Sequence, residues 1–211
     1  MTTESAAGIA LGLYALGLLV TFGIRTWAHR RATGSSGFRG LSGRPGSAPW
    51  WGGVLFAAAL LLTTAGLVLA ATGTVPAAAV PAVARWAGLA LATAAFAGVV
   101  LAQSGMGTSW RIGVDTTERT TLVTGGPFAL ARNPIFTAMC AALVGLVLTA
   151  PTVLTVLGLV CLVVAVELQV RVVEEPYLLA THAGTYAAYA ARVGRFVPGV
   201  GRIRATIVAV S

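Results

Sequence analysis

The sequence predicts an all-α integral membrane protein with about five transmembrane helices, the last two a helical hairpin, followed by a cytoplasmic C-terminal helix. Three observations predict this class. Of the 211 residues, 57% are apolar and only 9% are charged, against roughly 45–50% and about 25% in an ordinary soluble domain. Charge is absent from 5–24, 45–84, 86–110 and 133–166, and each gap can hold a span of about 20 residues. All 14 basic residues are Arg, and 13 of them fall in three clusters, 25–44, 111–132 and 171–204.

The first apolar segment has Glu4 in front and Arg25, Arg30 and Arg31 behind. That polarity is the reverse of a secretory signal, so the segment is a retained first span. Pro49 and the Gly- and Pro-containing stretch 72–81 bracket a second span at 50–71, and the gap 86–110 supplies a third. In the last gap Ala150-Pro151-Thr152 reads as a turn, which leaves 134–149 and 152–173 as a tight antiparallel hairpin. The first helix of that pair is short for a full crossing, so it crosses at a slant or with its ends embedded in protein. Five spans with the Arg clusters in the cytoplasm put the N-terminus outside and the C-terminus inside the plasma (inner) membrane, with Arg85 the one exception. Trp27, Trp50, Trp51, Trp86 and Trp110 all fall at predicted span ends, where an amphipathic ring prefers the interface. The expected organisation is a single membrane domain over 1–211. Within it 1–104 carries three N-terminal spans and a flexible loop at 28–49, and 105–198 carries the polar motifs.

The net charge of +8 belongs with this topology rather than with nucleic acid, since long apolar runs separate the charges. Cys140 and Cys161 both lie inside apolar runs, so neither a disulfide framework nor a metal site is expected, and both read as small packing residues. The partners expected are the bilayer and a lipophilic substrate, with no nucleic acid and no metal.

Some polar residues exceed what an anchor requires. Glu167, Arg171 and Glu174 recur at helical spacing and predict one stripe, with Glu175 also in reach of Arg171. Ionisable groups at that depth face protein or a polar cavity and are usually functional. Upstream, Leu122-Val123-Thr124-Gly125-Gly126-Pro127-Phe128 forms a sharp turn with exposed amides, and Asn133-Pro134 matches an N-cap followed by proline at the first helical position. Exposed amides and a helix start favour a carboxylate or another anion. Arg132 adds a cation beside them. Downstream, Tyr186, Tyr189 and Arg192 recur at three-residue steps along one helix face, a pattern that interfacial packing also produces. His182 is available as a base, although a lone His is more often a satisfied polar group.

Taken together, the Gly-Pro-Phe turn, Arg132-Asn133-Pro134, the Glu174-Glu175 pair and the Tyr186/Tyr189/Arg192…Pro198 tail resemble the isoprenylcysteine carboxyl methyltransferase and phospholipid methyltransferase superfamily. The resemblance covers about 105–198. It implies an S-adenosylmethionine-dependent membrane methyltransferase, with the cofactor enclosed by the loop before the hairpin, the hairpin and the cytoplasmic tail. A lipophilic substrate would enter sideways from the bilayer. Gly105-Met106-Gly107 matches a Gly-x-Gly element of the phospholipid branch. Carried over residue by residue, the cofactor set is Gly105, Gly107, Val123, Gly126, Phe128, Arg132, Asn133, Pro134, Phe136, Glu174, Glu175, Tyr186, Tyr189 and Arg192, with Arg132, Arg171 and Glu174 as the catalytic candidates. The chain departs from the family in having Asn133 and Phe136 where His and Tyr are usual. It also has His182-Ala183 where Phe-Gly is common, which shifts the expected glycine to Gly184.

Methyl transfer from a sulfonium asks mainly for alignment and desolvation. A carboxylate acceptor needs no base, whereas an amine, thiol or hydroxyl would use His182, Glu174 or a tyrosine. Two other readings stand beside this one. A membrane NADPH-dependent reductase of the steroid-reductase type shares a Tyr-rich tail but needs a longer cavity. A non-catalytic scaffold would explain the spans and not the polar hairpin.

Overall fold

The computed structural model describes residues 2–34, 43–106 and 122–203. Seven α-helices carry the described chain: α1 (Thr3–Leu18), α2 (Arg25–Thr33), α3 (Ala48–Ala71), α4 (Ala82–Gly105), α5 (Pro134–Thr149), α6 (Val153–Leu168) and α7 (Glu175–Arg192). Two π-helical turns join α1 to α2 and α6 to α7, at Leu19–Ile24 and Gln169–Glu174. Counting those continuous helices once, four are long and apolar enough to cross a membrane, Thr3–Thr33, Ala48–Ala71, Ala82–Gly105 and Val153–Arg192, and Pro134–Thr149 is a shorter apolar one. The last long helix is uncharged only through 153–166; Glu167, Arg171, Glu174, Glu175 and the tyrosines follow.

Local chemistry explains where these helices begin. Pro49 and Pro134 occupy first-turn positions, where a missing N–H costs nothing. Thr152 and Thr155 form a reciprocal capping box at the start of α6, a second-helix signal that the Ala150-Pro151-Thr152 turn announces. Asn133 departs from expectation. Its side chain makes no capping bond to α5; Nδ2 instead donates to the Arg195 carbonyl at 3.1 Å.

The hairpin is looser than its sequence suggests. α5 packs chiefly on α4, and α6 chiefly on α3, with less contact between α5 and α6 themselves. Small residues set this pairing. A Cβ on Gly88 would lie 2.5 Å from the Gly145 carbonyl oxygen, and one on Gly145 would lie 2.5 Å from that of Gly88. Gly158 likewise sits against Thr63 and the Ala59 carbonyl of α3. Between membrane helices no hydrophobic force distinguishes protein from lipid, so close backbone approach supplies the dispersion contact that holds a pair together. The first helix closes the bundle through Ala7, Ala10 and Tyr14, all fully or nearly fully buried.

Polar contacts define the two ends. At one end Arg85 Nη2 donates to Thr3 Oγ1 at 3.0 Å and the Ala78 amide donates to the Pro151 carbonyl at 2.8 Å. At the other, Arg25 Nη2 donates to the Gln103 carbonyl at 2.9 Å, and Gln103 Nε2 donates to the carbonyl of Thr21 in the first π-helical turn at 3.1 Å. The second end also holds the start of α5 and the start of α7, where the candidate residues gather.

Candidate functional site

The site is built where three segments meet: the 122–136 approach to α5, α7, and a strap over 193–203. The approach passes through a 3₁₀ turn, Gly126–Ala129, whose first residue takes φ +59°, a left-handed value suited to glycine. Gly125 and Gly126 are exposed, while Phe128 is buried beneath them. Gly105, at the end of α4, lies beside this turn, since a Cβ there would be 3.7 Å from Pro127 Cδ. Val123 and Phe136 are half-buried, the latter against the bundle core. Gly107 lies outside the described residues.

Arg132 and Glu175 form the buried centre. They are 6% and 5% exposed, so both charges must be satisfied within the protein. Arg132 Nη2 donates to Glu175 Oε1 at 2.5 Å and to the Gly201 carbonyl at 3.1 Å; Nη1 donates to the carbonyls of Ala190 at 3.0 Å and Val193 at 2.7 Å. Arg195 completes the cluster, with Nε donating to Glu175 Oε1 and Nη2 to Oε2, both at 2.8 Å. Burial alone would raise the Glu175 carboxyl. Hydrogen bonds and charges from Arg195 and Arg132 outweigh it and hold the group below the usual carboxylate range. The same bond to Glu175 pushes the Arg195 guanidinium further up.

This arrangement corrects the predicted stripe. Glu175 turns to Arg132 and Arg195 rather than to Arg171, which instead pairs with Glu167 on an exposed helix face. A side chain 55% exposed is set apart from the buried centre. The π-helical turn gives part of the reason, because it widens the helix over Gln169–Glu174 and breaks the 3.6-residue register on which the stripe was drawn. Glu174 is half-buried and accepts from Gln169 Nε2 at 3.4 Å.

Tyr186 and Tyr189 are brought together edge to face, with ring centroids 6.1 Å apart, and Tyr189 donates its hydroxyl to the Phe128 carbonyl at 2.6 Å. Burial first, then the Glu175 charge for Tyr186 and its neighbouring tyrosine for Tyr189, pushes each phenol up to about 12. Both therefore remain protonated donors at neutral pH and are poor bases. Arg192 points outward, exposed. The residue of the tail that enters the site is Arg195, which the three-residue periodicity of α7 missed because the helix ends at Arg192. The available signal was Gly194: a Cβ there would lie 2.0 Å from the Val197 carbonyl oxygen, so the chain folds back on itself at that point.

Ala183 carries a second correction. It takes φ +39° and ψ −119° inside α7, a conformation that disfavours a Cβ. The glycine-type backbone thus stays at Ala183 and does not move to Gly184.

An apolar cavity lies inside the bundle, lined by Tyr14, Leu18, Phe22, Phe96, Val99 and Met139 among others. Met139 is five residues along α5 from Pro134, about 7.5 Å of helix rise from the polar site. Among the described residues no group of three or more His, Cys, Asp or Glu is placed to hold a metal ion.

No curated protein and no solved structure matches the chain. The family model of the phospholipid methyltransferases matches residues 83–184, a stretch that takes in α4, the 3₁₀ turn, α5, α6 and the start of α7. Arg132, Glu174 and Glu175 thus sit inside the matched stretch while Arg195 lies beyond it, and over 83–184 the chain is similar to the phospholipid methyltransferases.

Proposed function

We propose that the chain transfers a methyl group from S-adenosylmethionine to a lipophilic acceptor that reaches the site from the bilayer, on the cytoplasmic face. The observation that carries this reading is the meeting of the family-matched segments at one polar centre on the end of an otherwise apolar bundle. A binding site for a charged cofactor and a lipid needs that boundary.

The donors present suit the cofactor. It carries an ammonium and a sulfonium, for which the Glu174 carboxylate is the partner, and a carboxylate, for which the exposed Gly125 and Gly126 amides or Arg192 serve. When bound it supplies an activated methyl group. The protein's own part is alignment and exclusion of water: Phe128, Tyr186 and Tyr189 form a buried floor. For a carboxylate acceptor no proton need move. For an amine, the half-buried Glu174 or His182 is the group within the same segment that can take one.

The test is transfer of tritium from methyl-labelled S-adenosylmethionine by the detergent-purified protein into a total lipid extract. Label should partition into the organic phase and depend on active protein. Absence of label together with lipid-dependent oxidation of NADPH would favour the reductase instead.

A further inference from the structure

Two adjacent acids, Glu174 and Glu175, stand at the start of α7, and the structure gives them different surroundings. Both Glu175 oxygens are committed to arginines, one of which, Arg195, belongs to the strap beyond the family-matched stretch. The strap is otherwise attached through its backbone. The Arg132 amide donates to the Gly194 carbonyl at 2.9 Å, the Asn133 amide to that of Arg195 at 3.1 Å, and Thr137 Oγ1 to that of Phe196 at 2.8 Å. The strap closes on itself through the Arg195 amide and Val200 carbonyl, 2.7 Å apart, and returns to α7 through the Ile203 amide and Ala190 carbonyl at 3.0 Å. The first three of these bonds fall on the residues that open α5, two of which, Arg132 and Asn133, belong to the proposed cofactor site. What lies at Arg132-Asn133 is therefore set by where the strap sits.

A planar guanidinium donating through two nitrogens to both oxygens of one carboxylate fixes orientation as well as distance. We propose that Arg195 is a positioning residue: through its two-point pairing with Glu175 it fixes the strap against the Arg132-Asn133 start of α5 and so sets the geometry in which methyl transfer occurs, without touching cofactor or acceptor. Glu175 and Arg132 share that role. This assignment rests on the proposed methyltransferase activity, and the test separates the two.

The experiment uses the full chain in detergent as wild type, Arg195→Met and Arg195→Lys. Hydrogen exchange of the 194–201 backbone is measured first, then S-adenosylhomocysteine affinity by calorimetry, then tritium transfer from saturating S-adenosylmethionine into saturating total lipid extract. The expected result for Arg195→Met is at least tenfold faster exchange at the Arg195 and Val200 amides, S-adenosylhomocysteine affinity within threefold of wild type, and kcat reduced tenfold or more. Arg195→Lys, which keeps the charge and loses the fork, should recover kcat in part. Unchanged exchange in Arg195→Met shows that the pairing does not fix the strap and overturns the positioning role. A large loss of affinity with kcat retained at saturation shows direct ligand contact and overturns the positioning role, as does a wild-type kcat in folded Arg195→Met. If the wild type itself neither binds S-adenosylhomocysteine nor transfers label, the proposed function fails and the reaction role falls with it; the exchange arm still decides whether Arg195 holds the strap.

Discussion

At the scale of single residues, the acids of the last long helix divide between two settings, Glu167 with Arg171 on an exposed face and Glu175 with Arg132 and Arg195 in the interior. Glu167, Arg171, Glu174 and Glu175 lie where an ideal helix would make one network, but a π-helical turn cannot be read from such a run, so the split between Arg171–Glu167 and Glu175–Arg132 was not legible. Arg195 was hidden for another reason, because its partner is 20 residues away and across a helix end. The Glu175 carboxyl is held low in the folded protein, so its contribution is present above the ordinary carboxylate value of about 4.3 and is lost as pH falls through its depressed folded value. Wild-type protein should therefore lose thermal stability on acidification more steeply than Glu175→Gln, which has no such group to protonate; parallel pH profiles would remove Glu175 from the linkage. Ala183 supplies a prediction of opposite sign. Relief of its φ of +39° by Ala183→Gly should raise stability by about 1 kcal/mol, a value between the cost of a left-handed L-residue and the entropy of glycine. A lowered Tm in that variant would contradict the strained geometry.

Among elements, the helices were legible from charge gaps and prolines, since a bilayer demands a long uncharged run and proline marks a first turn. Their pairing was not. The apolar character of α5 and α6 says nothing about which neighbour each prefers, and the choice is made by glycines whose register against another helix appears only in three dimensions. Gly145→Leu should therefore destabilise the bundle by 3 kcal/mol or more, above the roughly 1–3 kcal/mol of ordinary overpacking, because the side chain would meet the Gly88 carbonyl and the Ala92 backbone. Gly12→Leu on α1, where a Cβ meets nothing within 4 Å, should leave stability nearly unchanged. Comparable losses in both would contradict the assignment of close packing to Gly145, since Leu is the better helix former at either site.

For the whole molecule, the arginine asymmetry and the two polar ends agree on one topology: Thr3, Arg85 and the 150–152 turn at one end, Arg25, Arg132 and the strap at the other. We propose from the positive-inside tendency that the second end faces the cytoplasm, where the cofactor would be found. With Cys140 and Cys161 replaced by alanine, Val200→Cys should react with an impermeant thiol reagent only from the cytoplasmic side, and Thr74→Cys only from outside; the reverse pattern would invert the orientation. The central claim is that this cytoplasmic end holds an S-adenosyl cofactor, and calorimetric titration of S-adenosylhomocysteine into the detergent-solubilised wild-type chain tests it most directly. The account predicts saturable binding that weakens roughly 10- to 150-fold in Glu174→Gln, the range of about 1.5–3 kcal/mol for a hydrogen bond to a charged group. Folded wild-type protein that gives no saturable heat with S-adenosylhomocysteine, and binds NADPH in its place, would contradict it.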